Sequence, residues 1–119
     1  MTENIINISN LEYMSWGNDD RFEARIGAVS SKIGAQKLGY NLTVLPPGKR
    51  AFPFHNHRVN EEMFFILEGE GEVRIGPETY PVVKGDVIAC PPGGPETAHQ
   101  LINTSEHDEL KYLAVGTSM

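Results

Sequence analysis

His55 and His57 are separated by a single residue, so on an extended strand both imidazoles project from the same face, whereas helical placement would send them apart. Glu62 follows five residues after His57, at the head of an apolar run, and a short loop between adjacent strands could carry it to the same interior. His99 lies in a third segment, where on a strand Leu101 and Asn103 share its face and Gln100 points away. Neutral imidazole nitrogens and a carboxylate oxygen suit the intermediate divalent metals zinc, iron, manganese and nickel. Three histidines and a glutamate would hold such an ion and leave coordination positions open. On spacing alone the H-x-H pair is weak evidence for a metal, since most such pairs are surface histidines or histidines satisfied within a core.

Strands must do the positioning. From Leu38 onward the chain reads as short β runs punctuated by Gly and Pro: residues 38–45, closed by Pro46, Pro47 and Gly48; 62–67, closed by Glu68 and Gly69; then 73–75, 79–83, 86–89, 98–102 and 110–115. Gly76-Pro77 turns one hairpin and Lys84-Gly85-Asp86 the next. Strands at this interval predict an all-β sandwich or barrel. In the first 37 residues, 22–29 is expected as an edge strand and 30–36 as a loop or single helical turn, so residues 1–37 form an arm on the barrel and 38–119 the main domain. Prolines within the apolar stretches exclude long helices.

With 119 residues the chain has room for one domain. Cys90 is the only cysteine, so no intrachain disulfide forms, and a core, a second chain or a metal must hold the fold. A formal net charge of −6 argues against general nucleic-acid binding, which needs a basic face. The acidity is concentrated in residues 61–119 and is expected mostly on solvated strand faces and turns. No stretch is apolar and long enough to span a membrane, and the opening MTENIINISN lacks the features of a secretory signal, so a cytoplasmic location is expected.

The segment GKRAFPFHNHRVNEEMFFILEG resembles the first signature of the cupin superfamily, in which a Gly precedes H-x-H, a Glu follows three or four residues on, and a Gly comes six residues later. Four residues separate His57 from Glu62 and six separate Glu62 from Gly69; Glu61 would fit the shorter first gap but points to the opposite face. Gly85, Pro91, Gly93, His99 and Asn103 are similar to the second signature, with one departure: five residues, GPETA, stand between Gly93 and His99 where the pattern has two. The string PPGGPETAHQLIN resembles a bacterial group of small single-domain cupins, whose members tend to continue past the position of Met119, so the resemblance implies either a naturally short chain or one cut back before a C-terminal strand or lid.

The resemblance implies a double-stranded β-helix, or jelly-roll, barrel with one divalent transition metal (Fe, Mn, Ni or Zn) held by His55, His57, Glu62 and His99. A metal-dependent dioxygenase, decarboxylase or isomerase acting on a small molecule would fit, as would a non-enzymatic binding protein with a bound metal. Phe64 would line the pocket; Arg50 is a candidate partner for a substrate carboxylate, and Tyr40 could reach the pocket or pack on its strand. Cys90 is expected as a buried apolar group, and no catalytic residue is assigned. A homodimer is expected, because small jelly rolls often bury an exposed sheet edge or face by pairing.

Overall fold

The computed structural model describes residues 4–17, 21–51 and 61–117. Gly69 marks the corner about which the chain is organised. Its φ of +86° lets β4 (Glu62–Glu68) turn directly into β5 (Glu70–Ile75), and a Cβ there would run into the carbonyl oxygen of Glu109. At this corner the chain leaves one sheet and enters another.

The larger sheet has six strands in the order β1-β2-β3-β9-β4-β7, comprising β1 (Tyr13–Trp16), β2 (Ala24–Ala28), β3 (Leu38–Leu45), β4, β7 (Val87–Cys90) and β9 (Leu110–Thr117). The smaller has three, β6-β5-β8, with β6 (Glu78–Val83) and β8 (His99–Ile102) flanking β5. Every paired strand runs antiparallel. Among the described residues there is no α-helix, only three single 3-10 turns, and no helix is long and apolar enough to cross a membrane. This is a jelly roll: two sheets face each other, and alternate residues of each strand enter the space between them.

The inward residues make one core. Ile66, Tyr112, Leu45 and Leu110 come from the large sheet, Val73 and Leu101 from the small one, and each is at most 3% exposed. Buried polar side chains tie the strands of this core together by hydrogen bonds. Asn103 is the clearest case: its amide nitrogen donates to the carbonyls of Leu45, Pro46 and Asp108 at 2.8–3.1 Å, and its Oδ1 accepts from the Ser105 backbone at 2.9 Å. One side chain thus ties the end of β3 to the loop that follows β8.

The strand reading from residue 38 onward agrees with the fold to within three residues at each end. The expectation of an edge strand at 22–29 is corrected. The strand there is Ala24–Ala28, and it lies second from the edge, between β3 and β1, because Tyr13–Trp16 pairs outside it. The single helical turn expected after it is the 3-10 turn Ser30–Lys32.

Candidate functional site

β4 and β8 belong to different sheets, and the jelly roll brings their inner faces together at Glu62 and His99. The His99 Nε2 and Glu62 Oε1 atoms lie 2.9 Å apart, with the histidine 2% exposed and the glutamate side chain about a quarter exposed. On the other side of the ring, Nδ1 is 3.2 Å from the carbonyl oxygen of Thr97. The Thr97 carbonyl and the Glu62 carboxylate both only accept, so the ring is flanked by an acceptor at each nitrogen and the tautomer decides which of them receives a hydrogen. An imidazole with a backbone acceptor at one nitrogen and an anionic oxygen beside the other has the surroundings usual for a metal-binding histidine. Two donors about 2.1 Å from a shared octahedral ion would sit roughly 3.0 Å apart, close to the separation seen.

The Thr97 carbonyl comes from the stretch in which this chain departs from the usual signature. Residues 95–97 fold into a 3-10 turn, closed by Ala98 N–H donating to Pro95 O, and the added length therefore delivers the acceptor that orients His99. A backbone atom leaves no mark in the residue pattern, so the sequence did not point to it.

Behind the pair stands an aromatic wall. Phe64, two residues along β4 from Glu62 and 7% exposed, meets His99 edge-on at 5.7 Å between centroids and Tyr112 at 5.3 Å. These contacts limit tilting of the His99 ring. Tyr112 was not among the expected site residues; its signal was alternation, since it shares a strand face with Leu110 and Ala114. Its phenol is pushed up from its usual range chiefly by burial, with a hydrogen bond to Thr43 working against the shift and the Glu62 carboxylate adding to it. Cys90 lies across from Glu62 in the β4–β7 register, and burial first, the Glu62 charge second, push its thiol up to about 12. It stays protonated and inert at neutral pH, as expected of a buried small group.

The remaining expected residues divide by location. His55 and His57 lie outside the described residues. Among the described residues, no three His, Cys, Asp or Glu side chains gather as a metal group. Arg50 bridges Phe22 on one side and Ile102 of β8 on the other, and the Asn103 N–H donates to Lys49 O at 2.9 Å, so residues 49–51 run against the strand that carries His99. Tyr40 pairs with Val115, which places it on the large sheet's outer face, away from Phe64 and His99. A groove of about 300 Å³ also opens at this end of the sheet; Leu38, Met63, Ala89 and Val115 form its apolar lining, with Glu61 and Thr117 at its rim.

The family model described as a cupin domain matches residues 41–116. The auxin-binding protein T85 of Nicotiana tabacum is 28% identical over 124 residues, covering 92% of this chain and 60% of that protein. A sugar phosphate isomerase from a cupin superfamily, from Silicibacter pomeroyi, superposes with a TM-score of 0.83 at 24% identity, over 97% of this chain and 76% of the other. A predicted oxalate decarboxylase from Thermotoga maritima superposes at 0.80 with 23% identity, over 97% and 99%. The chain spans 45–60% of the length of the curated relatives it matches.

Proposed function

The chain belongs to the cupin family, and on that premise we propose that it is a metal-dependent cupin acting on a small molecule, with His55, His57, Glu62 and His99 holding one divalent transition metal ion. The observation that supports this reading is the convergence of His99 Nε2 and Glu62 Oε1 at 2.9 Å, with the Thr97 carbonyl oxygen at the other ring nitrogen. The chain also leaves the described region against β8 at residue 51 and rejoins it at Glu61, beside Glu62, so both ends of the segment bearing His55 and His57 are anchored at the strands of the other two ligands.

When bound, iron, manganese, nickel or zinc would supply Lewis acidity or redox chemistry at the positions these four side chains leave open. The protein's own part is orientation and exclusion. His99 is held rigidly, Phe64 and Tyr112 close the inner wall to water, and the protonated Cys90 offers no competing thiolate. Arg50 would meet a substrate carboxylate at the entry to the ligand segment. Dioxygenase, decarboxylase and isomerase chemistries share this ligand set, and the two solved neighbours, named for isomerisation and decarboxylation, make the fold neutral between them.

Non-enzymatic binding of a small molecule, with the metal as its anchor, is the second reading. The tobacco relative favours it, being named for binding auxin while matching nearly the whole chain.

Elemental analysis of protein purified without chelator or nickel affinity tests the site. About one equivalent of a transition metal is expected in the wild type, falling at least tenfold in His99→Ala and Glu62→Gln. Less than about a tenth of an equivalent, with no uptake on reconstitution, would overturn the reading. A ligand that binds the loaded protein stoichiometrically and is recovered unchanged would select the binding alternative.

A further inference from the structure

The turn that carries the Thr97 carbonyl leans on the hairpin between β5 and β6. Ile75, the last residue of β5, pairs with His99, the first of β8, so the hairpin bends at Gly76 directly beside the residues that precede His99. Two contacts join hairpin and turn. The Gly76 N–H donates to the Ala98 carbonyl at 2.8 Å, and the Glu96 carbonyl oxygen fills the space where a side chain at position 76 would begin, 2.6 Å from an ideal Cβ. Real Cβ atoms do not come that close to another atom, so the turn can sit this near only against a glycine. Gly76 is buried, and its φ of +55° is one that glycine adopts at no steric cost.

Thr97 lies between the two carbonyls that rest on Gly76, and its own carbonyl oxygen is the atom 3.2 Å from His99 Nδ1. The peptide that joins Thr97 to Ala98 is planar, with the Thr97 oxygen on one side and the Ala98 N–H on the other. That N–H donates to Pro95 O at 3.1 Å, so the same bond that closes the turn aims the Thr97 oxygen the opposite way, at the imidazole. Thr97 itself is clamped. Its N–H and its Oγ1 both donate to Gly94 O, at 3.0 and 2.8 Å, and a Cβ added at Gly93 would stand 2.8 Å from its Cγ2.

We propose that Gly76 is a positioning residue for His99: the glycine seat on the β5–β6 hairpin holds the 95–97 turn, and through the Thr97–Ala98 peptide it sets the orientation of the His99 ring and so the strength with which a metal is held. The second half of this statement rests on the reading of His99 as a metal ligand; the first half does not. A ring that gives Nε2 to a metal keeps its hydrogen on Nδ1, and the acceptor that receives it orients the ring. Losing such a partner costs about 10- to 100-fold in metal affinity. The lengthened loop before His99 thus has its footing on a hairpin that lies outside both signature segments.

Alanine substitutions separate the seat from ordinary backbone strain. Gly76→Ala brings a side chain to a positive φ and drives it into Glu96 O; Gly85→Ala, in the next turn at φ +96°, brings the strain alone, because nothing lies within 4 Å of its Cβ. Gly93→Ala strikes Thr97 Cγ2 without a positive φ, and carries the test if Gly76→Ala does not fold; adding Thr97→Ser removes the struck methyl and keeps the hydroxyl. Far-UV circular dichroism checks folding. Long-range proton–nitrogen spectra of the metal-free proteins read the imidazole directly: the His99 signals are expected to move in Gly76→Ala and Gly93→Ala, to stay in Gly85→Ala, and to return in the Gly93→Ala/Thr97→Ser double variant. Titration with cobalt(II) is expected to show Kd at least about tenfold higher in the first two variants and unchanged in Gly85→Ala. His99 signals that stay put in every folded seat variant, or that Gly85→Ala moves as far, overturn the proposal, and a moved ring with unchanged cobalt affinity overturns its consequence for the metal. A wild type that takes up no cobalt removes the metal reading instead, and the ring signals still decide whether Gly76 positions His99.

Discussion

Cys90 and Glu62 face each other across two strands, and their proximity has a measurable cost at high pH. An unfolded cysteine ionises near pH 9, while in the fold burial and the Glu62 carboxylate delay ionisation to about 12. Between these values the unfolded chain releases a proton that the folded chain keeps, so stability is full below the unfolded pKa and falls as pH rises through this window. Thermal melts from pH 8 to 11 are expected to show a progressive drop that Cys90→Ala reduces; equal slopes in the two proteins would contradict the assignment. Tyr112 contributes in the same direction at higher pH, because its phenol is also pushed up. At this scale the sequence was informative where side-chain type and local alternation sufficed: Glu62 with Phe64 and Ile66 on one face, Cys90 as a buried thiol. It was not informative for Tyr40, because its neighbours Gly39 and Asn41 give no apolar alternation to read, and its face is set by the pairing with Val115, 75 positions away.

Elements place Glu62 and His99, the two proposed ligands whose surroundings are described, and Asn103 shows how. Its three donated bonds fix Leu45, Pro46 and Asp108, and its own N–H holds Lys49, so the end of β3 and the approach to the His55 segment are tied to β8. Alanine there would strand buried carbonyls, at a cost of about 1–3 kcal/mol. Aspartate should be worse, despite its matching shape, because a carboxylate cannot donate and would set a negative charge against three carbonyl oxygens. Urea unfolding should therefore rank wild type above Asn103→Ala and Asn103→Asp lowest; Asp equal to wild type would show that the donated bonds are not what matters. The main strands were legible because Gly and Pro mark their ends and β-branched or aromatic residues fill them. β1 was not, since Tyr13–Trp16 is short and becomes a strand only by pairing with residues 24–27.

For the whole molecule, the absence of any disulfide leaves core, metal and a second copy as the sources of stability, and they separate experimentally. A metal that binds only the folded state stabilises by mass action, about 2.7 kcal/mol at a hundredfold excess over its dissociation constant. For a domain of this size each kcal/mol moves Tm by roughly 4–8 °C, so removal of the metal with a chelator should lower Tm by roughly 10 °C or more. His57→Ala should lower metal content and Tm together, and its Tm should no longer respond to chelator. A homodimer would add a different signature, a Tm that rises with protein concentration and keeps doing so after metal removal. A wild type whose Tm moves by less than about 1 °C on metal removal, after metal content has been shown to fall, would mean that the His and Glu ligands hold the ion without the ion holding the fold.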